Sequence, residues 1–285
     1  MEQVLNGLEV ESTWLGEKNH LRVLVLILLI LLFPLPGWGE ESRLQEILEK
    51  VHRLNSAVED ETARVDFRTV SEEGIEEKSI HRLYWKNLHG KRGLISKIML
   101  LTISPLKLKG EGFLIWEGLE LKRSQGWLYL PELRQVRRIN LISHSGHQHD
   151  DSEPESDLLF GDMANVLTGP GERRFVGEEM IQGEAFVVIE EDSRLDGVAI
   201  KRRHWVSPRN GTIHKIEHRS AEGDLLKTQW IEWQEVNGVW VWKRTEVHSS
   251  RSRHKTIVEL ADVQINSGLE ENLFTDNFLR SGRIP

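Results

Sequence analysis

At 285 residues and a formal charge of −8, from 45 acidic against 37 basic side chains scattered along the chain, the sequence lacks the basic footprint of a nucleic-acid-binding protein. Its 39% apolar and 29% charged residues exclude gross disorder and a polytopic membrane protein, and predict a chain that folds around a core. With no cysteine, neither disulfides nor a thiol nucleophile enter its chemistry.

Val23 to Phe33 is an unbroken apolar run that follows Arg22 and ends in Pro34, Pro36, Gly37, Trp38 and Gly39. It falls short of the roughly 20 residues of a membrane-spanning helix and matches the roughly 7–15 of a secretory signal. Residues 1–39 are therefore expected to be a signal peptide cut after Gly39. Glu2, Glu9, Glu11 and Glu17 make a poor basic leader, and an uncleaved signal anchor is the alternative. Either way, residues 40–285 are expected outside the cytoplasmic membrane, in the periplasm. The missing cysteine leaves no acylation site for a lipid anchor, so the mature chain is expected to be soluble.

Leu44, Ile47, Leu48, Val51, Leu54 and Val58 recur at three- and four-residue steps, which predicts one amphipathic helix. From Ala63 the pattern changes to short runs rich in Val, Ile, Trp and Thr, separated by Glu73-Gly74, Gln125-Gly126, Gln182-Gly183, Asp196-Gly197, Asn210-Gly211 and Asn237-Gly238. Strands are predicted near 63–70, 77–86, 92–103, 111–117, 125–130, 134–140, 173–181, 184–191, 198–207, 212–219, 225–235, 239–248 and 254–265. Ser143 to Gly171 is the one long stretch without strand character, with weak helical spacing at Leu158 to Leu167. It reads as an excursion over the sheet. The fold class is mainly β (α+β), in one domain without repeats.

His144, His147 and His149, followed by Asp150, Asp151 and Glu153, supply ligand types for zinc or nickel, although a solvated loop is the plainer reading and no metal or other cofactor is assigned. Asn210-Gly211-Thr212 matches a glycosylation sequon, but Asn-Gly between strands is first a hairpin turn. Arg134, Arg137 and Arg138 after Pro131 form either a solvated edge or a dock for lipid headgroups or an acidic partner. No G-x-S-x-G, H-E-x-x-H, P-loop or dinucleotide motif is present, so no enzyme is predicted. Ten tryptophans stand against two tyrosines, and Trp205, Trp230, Trp233, Trp240 and Trp242 crowd the late strands, as core filler or as the lining of a cavity.

The segment Gly126-Trp127-Leu128-Tyr129-Leu130-Pro131, continuing to Arg134-Gln135-Val136-Arg137-Arg138-Ile139, resembles the signature of the outer-membrane lipoprotein-sorting, LolA-like family. Ser156-Asp157 through Gly161-Asp162-Met163, Val176-Gly177-Glu178-Glu179, Trp205-Val206-Ser207, Asp224-Leu225-Leu226-Lys227-Thr228 and Leu273-Phe274-Thr275 resemble its further signatures in the same order. Leu158-Leu159-Phe160 departs from the usual Phe-Ser-Tyr. The resemblance implies a single curved antiparallel sheet, an unclosed half-barrel of about eleven strands with helices on its concave face and no catalytic residues. It implies a periplasmic carrier for the acyl chains of lipoproteins or lipids, with Trp205, Trp230, Trp233, Trp240, Trp242, Leu48 and Val51 as expected lining. A non-catalytic adaptor of an inner-membrane lipid exporter is the second reading. No nucleic-acid partner is expected, and the chain is expected to be monomeric.

Overall fold

The computed structural model describes residues 38–119, 123–139, 167, 171–195 and 198–281. The chain falls into two compact units, Met1–Arg43 and Leu44–Pro285, and the sheet belongs wholly to the second. The expected leader up to residue 37, the His144, His147 and His149 loop and the helical stretch before Leu167 lie outside the described residues. Helix α1 (Trp38–Ser56) comes first, followed by β1 (Asp60–Val70), β2 (Glu76–Asn87), β3 (Leu94–Ser104), β4 (Gly112–Gly118), β5 (Gln125–Leu130) and β6 (Gln135–Ile139). The second half brings β7 (Glu172–Ile181), β8 (Glu184–Leu195), β9 (Val198–Val206), β10 (Ile213–Arg219), β11 (Leu225–Val236), β12 (Val239–Ser249), β13 (Lys255–Ile265) and the short helix α2 (Asp276–Ser281). Among these residues no helix is long and apolar enough to cross a membrane.

The strands form one antiparallel sheet in the order β6-β5-β4-β3-β2-β1-β13-β12-β11-β10-β9-β8-β7, unclosed and consistent with a half-barrel. Thirteen strands are present where the family resemblance implied about eleven. The thirteen strand-like runs read from the sequence each correspond to one of these strands. Two meanders meet at a seam in which Val65 pairs with Leu260 and Phe67 with Val258. Strands β6 and β7 are left as the two edges.

Side chains alternate between the two faces of each strand, so the register sorts them. On one face α1 buries Leu44, Ile47 and Val51, its three- and four-residue stripe, against Val187 and Ile189 of β8, Val206 of β9, Ile213 and Ile216 of β10 and Ile231 of β11. Acidic Glu40 and Glu41 open the helix and Arg53 closes it, in the sense that the helix dipole favours. Leu167 is buried in the same cluster. Val58, expected to continue the helical stripe, lies beyond the helix end and packs with Val241 and Ile265 instead.

Asn210-Gly211 does not form a two-residue hairpin; it closes a longer loop between β9 and β10. Ser207 N donates to Thr212 O (2.8 Å) and Gly211 N to Ser207 O (3.0 Å), while Asn210 Oδ1 accepts from Thr212 Oγ1 at 2.8 Å. The loop docks on the helix. Lys50 Nζ donates to Pro208 O (2.6 Å), and a Cβ on Gly211 (φ +80°) would lie 2.7 Å from the Lys50 carbonyl carbon and 2.8 Å from Val51 N. Thr212 of the sequon is buried.

The short α2 lies on the opposite face, where Phe274 and Leu279 bury against Tyr84, Met99, Leu101 and Leu114. The resemblance implied helices on one face only. The second helix follows because these strands are apolar on both sides, and because Gly112 leaves room for Leu279, whose Cδ1 would be 2.5 Å from a Cβ there. The segment leading to α2 is pinned by the buried Asp60, whose carboxylate accepts from Ser267 N (2.7 Å), Ser267 Oγ (2.9 Å), Gly268 N (2.9 Å) and Leu269 N (3.0 Å).

Candidate functional site

The α1 face carries a second apolar cluster whose described buried and partly buried members all come from strands. Ala63, Leu83, Leu100 and Phe113 pair in one line across β1 to β4. Val65, Ile98, Ile115, Val247, Val258 and Leu260 are buried with them, and Phe67, Trp85 and Val263 pack alongside. Since Trp242 and Trp233 pair on the helix side, with ring centroids 6.3 Å apart and edge-on, this floor and the α1 cluster lie on one continuous face.

Among the polar groups on that face are the buried carboxylates of Glu61 and Glu191. Glu61 pairs with Trp85 at one end, and its Oε1 is buried without a hydrogen-bond partner. Burial pushes its carboxyl up to about 7 from an ordinary 4.5. The folded state then binds a proton between pH 4.5 and 7 that the unfolded chain has released, so stability should fall as pH rises through this window. A shift of this size corresponds to about 3 kcal/mol lost by pH 8. Urea unfolding at pH 5 and pH 8 is expected to show that slope in the wild type and its loss in Glu61→Gln; an identical slope in both proteins would contradict it.

Glu191 of β8 is buried among Arg173 of β7 and Arg202 and His204 of β9. Arg173 Nη2 donates to Glu191 Oε1 at 3.0 Å, His204 Nε2 lies 3.2 Å from Oε2, and Arg202 Nη1 is 3.7 Å from Oε2. Burial alone would raise Glu191, but the His204 hydrogen bond and the charges of Arg202 and Arg173 outweigh it and hold the carboxyl at about 2. Burial lowers His204 and keeps its imidazole neutral, with the Nε2 proton donated to Glu191. On β10, β11 and β12 the belt continues through His218, Gln229 and Thr245; Gln229 Nε2 donates to Thr245 Oγ1 at 3.1 Å.

The five late tryptophans divide between the faces. Trp233 and Trp242 stand with α1, and Trp233 Nε1 donates to Ile213 O at 2.9 Å. Trp240, two residues earlier on β12, is partly buried. Trp205 and Trp230 pair with Lys215 from either side, on the opposite face, where its ammonium sits 4.0 Å and 5.2 Å from their ring centroids. Trp205 is buried there with Phe186 and Val188, and its Nε1 donates to Glu179 Oε2 at 2.8 Å; Trp230 is exposed. These two cannot line the α1 face, because odd and even positions of adjacent strands alternate. Val51 is buried between α1 and the sheet, whereas Leu48 borders a groove of about 370 Å³ lined also by Gln45, Glu49, His52 and Arg53. Arg134 lies in the β5–β6 turn; Arg137 pairs with Leu128 and Arg138 with Trp127, so these two exposed side chains point to opposite faces of the edge strand.

Sequence reasoning missed Glu61, Glu191, Arg202 and His204. A faint signal existed, since Val187, Ile189 and Glu191 share one phase of β8. Phe186, Val188 and Glu190 fill the other just as well, and nothing local says which phase faces the helix.

A family model described as "Uncharacterized protein" matches residues 96–281. Three solved structures share the fold: an outer membrane lipoprotein-sorting domain by its description, from Vibrio parahaemolyticus (21% identity, 82% of this chain and 97% of that one, TM-score 0.69), a DUF1329 family protein from Desulfovibrio piger (19%, 82% and 98%, 0.70) and a LolA superfamily protein from Nitrosomonas europaea (21%, 82% and 98%, 0.61). No curated protein matches the sequence.

Proposed function

We propose, for a chain that belongs to the family matched over residues 96–281 and is built on a LolA-like fold, that it is a non-catalytic carrier. In this reading it works in the periplasm, sheltering the acyl chains of a lipoprotein or lipid against its α1 face as they pass between inner and outer membranes. The observation that carries it is the apolar cluster beside α1, whose described members, from Phe113 on β4 to Val247 on β12, all come from strands and suit a saturated tail. Each buried methylene of a tail contributes about 0.8 kcal/mol, so ten already suffice for tight holding. Trp233, Trp240, Trp242, Leu48 and Val51 are proposed as lining, and Arg134 or Arg137 as contacts for a membrane surface or partner.

Titrating the purified, delipidated protein with a fluorescent fatty acyl probe should give saturable binding that changes little between low and high salt, since the tail is uncharged. Trp242→Ala should weaken it roughly tenfold, about 1.4 kcal/mol. If the wild type shows no saturable binding, the carrier reading falls and the adaptor of a lipid exporter replaces it.

A further inference from the structure

We propose that Arg202 receives the oxyanionic headgroup, phosphate or carboxylate, of an acyl ligand held on the α1 face; this specificity rests on the carrier reading above. Arg202 pairs with Glu191 of β8 and with His218 of β10, so the three stand in one row of that face. The neighbouring row contains Ile189, His204 and Ile216, and its two isoleucines belong to the floor beneath α1. An anion on Arg202 therefore stands at the polar margin of the apolar surface.

The guanidinium is also the uncommitted member of its cluster. Glu191 gives one oxygen to Arg173 and the other to His204, leaving Arg202 only an ion pair at 3.7 Å, too long for a hydrogen bond. Among the described residues Arg202 makes no hydrogen bond, and its Nε is buried without a partner. The Nη1 side faces Glu191 and Nε is buried, which leaves Nη2 as the donor that one oxygen of a carboxylate or phosphate can meet. The Arg202 side chain is 22% exposed, so a ligand can reach it from the open side.

The test compares two single-chain lipids with the same oleoyl tail, lysophosphatidic acid and uncharged monooleoylglycerol, on wild type, Arg202→Met and Arg202→Lys, with thermal unfolding as the folding control. Wild type should bind the phosphate-headed lipid about tenfold tighter or more. Arg202→Met should bring the two lipids to equal affinity while leaving the neutral one unchanged, and Arg202→Lys, which keeps the charge but not the position of the guanidinium donor, should keep part of the preference. If Arg202→Met does not fold, a drop in preference in Arg202→Lys carries the comparison. Equal binding of both lipids by wild type, or a preference that survives in Arg202→Met or undiminished in Arg202→Lys, overturns this assignment and leaves the carrier reading standing. Failure of both lipids to bind overturns the carrier reading and this inference with it. Inorganic phosphate alone should compete only weakly; binding as tight as that of the phosphate lipid would make this a free-phosphate site and overturn the headgroup assignment.

Discussion

Gly211→Ala is expected to destabilise the protein by more than about 4 kcal/mol, a size that point substitutions reach only through an identifiable clash or cavity. Two costs add. An alanine at φ +80° is strained by about 1–2 kcal/mol, and the new Cβ would sit within 3 Å of three backbone atoms of Lys50 and Val51. Backbone atoms inside a helix cannot rotate aside as a side-chain tip can, so the loop or α1 must lift. Lifting α1 returns Leu44, Ile47 and Val51 to water at roughly 1.5–3 kcal/mol each and breaks the Lys50–Pro208 hydrogen bond. Gly238, at φ +81° with nothing within 4 Å of its would-be Cβ, supplies the control. Urea unfolding should show Gly238→Ala costing only the strain. If Gly211→Ala costs no more than Gly238→Ala, the helix is not seated on this loop.

Glu191→Leu is expected to cost about 3 kcal/mol, because it leaves Arg173 and Arg202 as partly buried cations without their shared carboxylate. The same group sets the acid limit of the wild type. Its folded-state value of about 2 lies below its ordinary 4.5, so its stabilisation is present above pH 4.5 and is lost as pH falls from there toward 2. Thermal unfolding of wild type and variant at pH 7, 4 and 2.5 should show the gap narrowing as acid is added. A gap that stays constant would show that the ion pairs contribute nothing through the charge of Glu191.

Much of the fold was readable because hairpins write themselves locally. Asn237-Gly238 and Gln182-Gly183 both close tight turns with positive φ, and Leu44, Ile47 and Val51 announce a helix face by spacing alone. The site was less legible because it depends on which side of a strand meets the helix. Trp205 and Trp242 look equivalent in sequence, yet pairing across β9, β10 and β11 sends one to each face. Bulges compound this: the register slips between Glu232 and Trp233 and between Ile213 and Lys215, and each slip exchanges inside for outside. Arg202 and Glu191 face each other only through strand pairing, a relation that no window of sequence contains.

The seam between β1 and β13 also bears on how the chain folds. Every other strand pairs with a neighbour one hairpin away, so each meander can zip up from local contacts, whereas Val65 must wait for Leu260. Closing that long loop costs chain entropy before any contact offsets it, which makes the seam the expected slow step. Until it closes, β1 and β13 are both bare edges offering unpaired amides to any other strand. A nascent chain that has delivered β1 to β6 but not yet β13 is therefore most vulnerable to association along β1, and shielding that edge is the help a folding chaperone would have to give.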